Sequence, residues 1–154
     1  MGSRILKLLA EDDRVALIHC VALREHTDNS PRTLSIESPK LRLLHAGDFS
    51  QPRLGLEQRE LDTLAKTAGL IVHSGANRSF WNYFDNLRGP NVESTKTLVD
   101  MASTHGIPIH FISSEGVHLL SGNTDACIYP TESVVAFPPP TDGSNGYTAS
   151  KWVS

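Results

Sequence analysis

The sequence predicts a doubly wound α/β fold with a parallel sheet. Short apolar runs of strand length alternate with amphipathic stretches of helical length. The first of these runs is apolar almost throughout, which is typical of a strand that is covered on both faces. Polar or small residues directly follow each run, and ligands of such folds bind at the carboxyl ends of the strands. Fold class and approximate site location therefore follow from the same pattern.

The first half of the chain supplies two predicted strands and two predicted helices. Ser3 to Ala10 is expected to be the last turns of a helix, and Val15 to Leu23 a buried strand. The polar stretch from His26 to Lys40 contains two prolines and predicts an irregular connection. Leu41 to His45 predicts a second strand, and Glu57 to Ala68 carries the single apolar stripe of a surface helix.

The second half continues the alternation. Leu70 to His73 and Ile109 to Ile112 predict the third and fourth strands, separated by a predicted helix from Asn91 to Thr104. Ser121 to Asn145 predicts a long loop, which is uncommon unless it has a function or covers a site. A last helix is expected to begin near Gly146.

Length and charge exclude several classes of protein. The 154 residues are enough for one domain with a hydrophobic core. The formal net charge of -3 and the absence of a basic run argue against a nucleic-acid surface. No apolar segment approaches the ~20 residues of a membrane helix, and no signal peptide is recognisable. With two cysteines in unlike contexts and no metal-ligand spacing, we expect a cytoplasmic protein without disulfides or metal.

The end of the chain carries a pair of residues suited to proton transfer. Tyr147 and Lys151 are four positions apart and share one face if the segment is helical. A phenol titrates near pH ~10 in water, and a neighbouring ammonium favours its ionised form. Such a pair can act as a general acid or base on a carbonyl. The alternative is an amphipathic helix with a lysine that only packs its stem.

Five segments together resemble one family. The chain resembles the extended short-chain dehydrogenase/reductases, and among them the thioester reductase domains of fungal hybrid polyketide–nonribosomal peptide synthetases. The resemblance covers nearly the whole chain and implies an α/β, Rossmann-like, doubly wound sheet. The segments that carry it are Leu44-His45-Ala46-Gly47-Asp48-Phe49, Ile71-Val72-His73-Ser74-Gly75-Ala76, Leu87-Arg88-Gly89-Pro90-Asn91-Val92-Glu93-Ser94-Thr95, His110-Phe111-Ile112-Ser113-Ser114-Glu115-Gly116-Val117, and Asp142 through Tyr147 to Lys151-Trp152.

The resemblance implies three catalytic residues. Tyr147 would donate the proton to the reduced carbonyl, and Lys151 would favour its phenolate and hold the nicotinamide ribose. Ser114 would hydrogen-bond the substrate oxygen, whereas Ser113 fits the register of the motif less well. Without the family, a serine at the end of a strand has the alternative role of satisfying a backbone group.

The resemblance also implies an NADPH site. Ser74, Gly75 and Ala76 would run beside the cofactor, because small side chains permit close approach. Asp48 and Phe49 would flank the adenine.

Two further residues complete the implied cofactor site. Arg24 would face the adenosine 2′-phosphate, a contact that suits a fork-shaped cation and favours NADPH over NADH. The alternative for Arg24 is a solvated charge at the end of a strand. Asn91 would lie on its helix beside the nicotinamide end.

The chain departs from the family pattern at both ends. Only Gly2 is available as the last glycine of the Gly-rich pyrophosphate turn, and the chain stops three residues after Lys151. We therefore expect residues 1–154 to be a partial NADP-binding domain that lacks the first strand with its Gly-rich loop and the C-terminal substrate part. Exposed strand edges would then favour association.

Two classes of function remain open. As an enzyme, the family member would use NADPH to reduce an acyl or peptidyl thioester on a carrier protein to an aldehyde or alcohol. A redox-independent, Dieckmann-type cyclising release is the variant within that class. The other class is a non-catalytic remnant or interaction module, and we expect the isolated chain to be inactive.

Overall fold

The computed structural model describes residues 1–23, 34–44, 47–120, 134–143 and 145–154. Helices and strands alternate through these residues in the order expected of an α/β fold. The helices are α1 (Gly2–Glu11), α2 (Gln58–Thr67), α3 (Phe84–Leu87), α4 (Ser94–His105), α5 (Glu115–Leu119) and α6 (Gly146–Val153). The strands are β1 (Ile18–Val21), β2 (Leu41–Leu44), β3 (Ile71–His73) and β4 (Ile109–Phe111).

The four strands form two parallel pairs. β1 pairs with β2, with Ile18 opposite Leu41, and β3 pairs with β4, with Ile71 opposite Ile109. Within the described residues, no strand joins the β1–β2 pair to the β3–β4 pair. The parallel α/β class is therefore confirmed, and the two separate pairs agree with the expected incomplete sheet.

A hydrophobic core lies between β3, α2 and α4. Its nine buried members come from these elements and from the segments that flank them. They are Leu54, Leu56, Leu64, Ala65, Ile71, Leu98, Met101, Ala102 and Ile107. A capping box between Glu57 and Glu60 begins α2, and Gly106 ends α4 in the left-handed conformation with a φ of 65°. Both helices thus have defined ends, which fixes how β3 lies against them.

Local geometry explains where the observed elements differ from the predicted ones. β1 begins at Ile18 rather than Val15, and it ends at Val21 because Ala22 adopts a left-handed conformation with φ 56°. A π-helical turn, Arg88–Glu93, precedes α4, which therefore starts at Ser94 rather than Asn91. This turn contains Pro90, whose missing N–H cannot donate to a regular helical ladder.

One helix was missed, and several expectations fall outside the described residues. The five residues of α5 are too few to show a helical apolar period, so the sequence did not predict that helix. Most of the predicted loop from Ser121 to Asn145 lies in residues 121–133, which are not described. Among the described residues, no helix has the length and apolar character to cross a bilayer, and no group of three or more His, Cys, Asp or Glu side chains forms a metal site.

Candidate active site

Helix α6 is seated on the segment that leads into α3. A Cβ at Gly146 would collide with the carbonyl oxygen of Asn82 and lie 2.8 Å from the backbone nitrogen of Phe84. Only glycine allows so close an approach of two backbones. The first residue of α6 therefore fixes the position of the residue that follows it, Tyr147.

Tyr147 and Lys151 stand one turn apart on α6, and both are nearly buried. The ring of Tyr147 is 9% exposed and meets Phe80 edge to face at a centroid distance of 5.1 Å. Lys151 is 4% exposed, and its Nζ lies 3.8 Å from the centroid of the Phe111 ring. Burial lowers the pKa of Lys151 from 10.5 to about 8. The pair is thus held by two aromatic contacts, and its ammonium is partly desolvated.

Ser114 lies at the start of α5, which packs against α6. Its Oγ accepts a hydrogen bond of 3.3 Å from the backbone N–H of Gly116, which caps α5. A Cβ at Gly116 would lie 2.9 Å from the Oγ1 of Thr148, so α5 and α6 touch at this glycine. The serine acts as an acceptor in its cap, and its O–H can still donate to a substrate oxygen. The structural alternative and the catalytic role of Ser114 are therefore compatible.

The side chain of Asn91 joins three parts of the site. Its Oδ1 accepts from the backbone N–H of Asn77 at 2.7 Å, and its Nδ2 donates to the carbonyl of Asn77 at 3.0 Å. The same Nδ2 donates to the Oγ of Ser150 at 2.8 Å, and that hydroxyl donates to the carbonyl of Tyr147. Asn91 is 1% exposed and Ser150 is fully buried. In this arrangement Asn91 braces the loop after β3 against α6, and its cofactor contact stays a prediction.

A buried imidazole continues this polar network toward β3. The Nε2 of His73 lies 2.9 Å from the Oγ1 of Thr95, which donates its own hydrogen to the carbonyl of Asn91. The hydroxyl must therefore accept from His73, which assigns the Nε2–H tautomer. Burial, reinforced by the charge of Lys151, lowers the pKa of His73 to about 4. His73 is consequently neutral at physiological pH.

The carboxyl end of β3 meets the amino end of α1. A Cβ at Gly2 would lie 3.2 Å from the Oγ of Ser74, so the first turn of α1 adjoins the residues predicted to run beside the cofactor. That turn contains no acidic side chain, and the partial positive charge of a helix N-terminus favours phosphate. The donor groups at this edge fit the pyrophosphate of a dinucleotide.

Phe49 and Asp48 are engaged in local packing. A Cβ at Gly75 would overlap the Phe49 ring, so this glycine is required by the aromatic side chain beside it. The Asp48 carboxylate accepts from the backbone N–H and the hydroxyl of Ser50, at 2.8 and 2.7 Å. Both residues lie in the segment that follows β2, and their predicted contact with adenine is untested.

Ser114 caps α5, and Tyr147 and Lys151 lie on α6, which contacts α5. Arg24 lies outside the described residues, and the roles of all the predicted site residues stay predictions. Sequence reasoning assigned no role to three buried or half-buried side chains that support the site, although all three belong to the motifs quoted above. They are His73, Phe111 and Ser150.

Comparison with known proteins identifies the family. The model of a family described as "Male sterility protein", a group of NAD-binding proteins, matches residues 1–154. The chain is 53% identical over 154 residues to the hybrid PKS-NRPS synthetase buaA of Petromyces alliaceus, and 44% identical to the fusarin C synthetase of Gibberella fujikuroi. The alignments cover the whole of this chain but only 4% of the length of each of these relatives.

Two solved structures share the fold. The terminal R domain from the myxalamid PKS-NRPS pathway is 28% identical with a TM-score of 0.55, covering 75% of this chain and 28% of that one. The reductase domain of a nonribosomal peptide synthetase from Mycobacterium tuberculosis is 31% identical with a TM-score of 0.53, covering 74% of this chain and 27% of that one. The chain thus belongs to the NAD-binding male sterility protein family of extended short-chain dehydrogenase/reductases, and it is similar to the reductase domains of PKS-NRPS synthetases.

Proposed function

We propose that residues 1–154 are part of a terminal reductase domain that uses NADPH to release a carrier-bound acyl or peptidyl thioester. The observation that carries this proposal is the contact between α5, which Ser114 caps, and α6, which carries Tyr147 and Lys151. The 44–53% identity to fungal PKS-NRPS synthetases supports the class of substrate. The product is an aldehyde, or an alcohol after a second reduction.

The three side chains divide the work on the thioester carbonyl. NADPH, when bound, supplies a hydride to the carbonyl carbon. The O–H of Ser114 donates a hydrogen bond to the carbonyl oxygen, where negative charge develops. The phenol of Tyr147 gives that oxygen its proton, and the ammonium of Lys151 stabilises the phenolate that remains. Loss of the carrier thiol from the protonated adduct then leaves the aldehyde.

The cofactor would be held at the edge where α1 meets the residues that follow β3. The first turn of α1 would take the pyrophosphate, and the backbone of Ser74, Gly75 and Ala76 would lie along it. We assign Asp48 and Phe49 to the adenine end, where their segment follows β2.

Arg24 and Asn91 complete the proposed cofactor site at its two ends. Arg24 would face the 2′-phosphate, which makes NADPH the expected cofactor. Asn91 would serve the nicotinamide end by holding α6 in place.

Tyr147→Phe tests the reaction in the complete synthetase that contains this segment. We expect the variant to lose NADPH oxidation with a carrier-bound thioester while its affinity for NADPH stays nearly unchanged, because only the proton donor is removed. Tyr83→Phe, which changes a 70% exposed tyrosine ahead of α3, is the matched control and should keep wild-type turnover.

The products distinguish reduction from the alternative modes of release. An aldehyde or alcohol formed with stoichiometric NADPH oxidation supports the reductase. A cyclised product formed without NADPH oxidation would show the Dieckmann-type mode instead. Wild-type rates in Tyr147→Phe would remove Tyr147 from the mechanism, and no release by the wild type would favour a non-catalytic module.

A further inference from the structure

Lys151 buries a charge without an acidic partner among the described residues. It is 4% exposed, and the ion pairs between described side chains join other residues. Burial of an ammonium without compensation is costly, and the usual result is loss of the proton. A group that stabilises the charged form is therefore needed if Lys151 is to act as a cation in the site.

The face of the Phe111 ring is in position to be that group. The Nζ of Lys151 lies 3.8 Å from its centroid, well inside the ~6 Å range of a cation–π contact. Phe111 is the last residue of β4, so the contact lies at the end of the strand that leads to Ser114. An aliphatic side chain of similar size could pack against the lysine stem, but it would lack the negative ring face that attracts the ammonium.

The ring of Phe111 is itself packed against a second ring, that of His73. His73 is its partner in the β3–β4 register, and the two rings lie 5.4 Å apart. Phe49 also meets His73, edge to face at 5.6 Å, and the Nε2 of His73 is hydrogen-bonded to Thr95. Because His73 is neutral, this stack places no second positive charge beneath the ring.

We propose that Phe111 is a positioning residue for Lys151, and that its ring face holds the lysine ammonium charged and in place beside Tyr147. The geometry of this contact stands independently of the reaction, whereas its effect on turnover rests on the proposed function. Phe49, His73 and Phe111 thus form a run of ring contacts that ends at the ammonium of Lys151. Phe111 need not touch the substrate to affect the reaction.

Nuclear magnetic resonance of the 154-residue chain labelled at lysine Cε tests the contact directly. Protons above an aromatic face are shielded, so we expect the Hε signal of Lys151, assigned by its loss in Lys151→Arg, to lie upfield of the remaining lysines. Phe111→Leu should return this signal to their position, and Phe111→Tyr should preserve the shift. Phe80→Leu is the matched control, because Phe80 contacts α6 at Tyr147 and should leave the Lys151 signal in place.

The wild-type spectrum alone can overturn the proposal, even if Phe111→Leu fails to fold. In wild-type protein whose dispersed methyl signals show that it is folded, a Lys151 signal at the position of the exposed lysines would refute the contact, as would an unchanged upfield signal in folded Phe111→Leu. In the complete synthetase, Phe111→Leu should lower kcat roughly 3- to 30-fold with little change in KM, and Phe111→Tyr should restore it. Normal kcat in Phe111→Leu would remove the positioning role. If the wild type oxidises no NADPH, the reductase proposal fails while the spectra still decide on Phe111.

Discussion

His73 shows how one buried side chain links the site to the stability of the chain. It is 3% exposed, and its pKa is lowered from 6.5 to about 4. Above pH 6.5 the imidazole is neutral in the folded and the unfolded chain, so it adds no pH dependence. Between pH 6.5 and about 4 the unfolded chain takes up a proton that the folded chain does not, and the free energy of unfolding falls as the pH falls.

We expect His73→Gln to reduce this acid limb, that is, the fall in the free energy of unfolding below pH 6.5. Glutamine keeps an N–H that can donate to Thr95 but cannot titrate, so the difference in Tm between pH 7 and pH 5 should be smaller than in the wild type. His110→Gln is the matched control, because His110 lies on the neighbouring strand and is exposed. Thermal unfolding at a series of pH values measures the effect. An equal acid limb in His73→Gln and the wild type would show that His73 is not its source.

Arg24 carries the expected choice of cofactor. If it contacts the 2′-phosphate, NADPH should bind the complete domain more tightly than NADH, by roughly 1–3 kcal/mol for a charge-assisted contact. Arg24→Ala should erase most of this difference and leave the affinity for NADH nearly unchanged. Titrations of both cofactors against both proteins measure it. Equal affinities of the wild type for NADH and NADPH would place Arg24 outside the site.

Among the helices, α6 depends most visibly on one residue. Gly146→Ala would push a methyl group into the backbone around Asn82 and Phe84, and such overpacking costs about 1–3 kcal/mol. Gly69→Ala is the matched control, because a Cβ at Gly69 meets nothing within 4 Å. Chemical unfolding should therefore show a lower midpoint for Gly146→Ala and a nearly unchanged midpoint for Gly69→Ala. Similar midpoints for the two variants would mean that α6 can shift away from Asn82 at little cost.

The sequence predicts those elements whose signals are local. The four-residue spacing of Tyr147 and Lys151 placed both on one face of α6, and the apolar stripe from Glu57 to Ala68 marked α2. The four strands appeared as apolar runs, although the prediction for β1 was too long at both ends and those for β3 and β4 were too long by one residue each. Helix α5 was not predicted because five residues are too few to show a helical period.

The contacts that brace the site depend on pairs far apart in the sequence. Nothing in the stretch around Asn91 indicates that its amide reaches Ser150, 59 positions later. The hydrogen bond exists because the π-helical turn and α6 pack together in three dimensions. Likewise, Phe111 is an ordinary strand residue in the sequence pattern, and only the fold shows that Lys151 lies over its ring. Local patterns therefore reveal the reacting side chains more readily than their supports.

At the scale of the whole molecule, each described strand is paired with a neighbouring strand on one side only. β1 and β2 form one pair and β3 and β4 another, so each pair has backbone edges that no described strand covers. Large aromatic side chains are also exposed near the site, with Phe80 at 72% and Trp81 at 94%. Both features predict low stability and a tendency of the isolated chain to associate.

We expect the 154-residue chain alone to unfold over a broad temperature range, and saturating NADPH to leave that transition unshifted. The first turn of α1 is the described edge that would meet the pyrophosphate, and α6 is a helix of 8 residues that ends two residues after Lys151. Thermal unfolding with and without cofactor, followed by light scattering, measures this. A sharp transition raised by NADPH would contradict the expectation and show that the chain binds its cofactor unaided.

The long-range contacts of α6 limit where segments of this family can be recombined in engineered proteins. Through Gly146 the helix meets the chain near Asn82, through Ser150 it meets Asn91, and through Lys151 it meets Phe111. A chimera with its junction between residues 91 and 146 would join an α6 from one parent to a cradle from the other. Junctions before residue 82 keep these partners in one parental block, so libraries cut there should retain more folded variants.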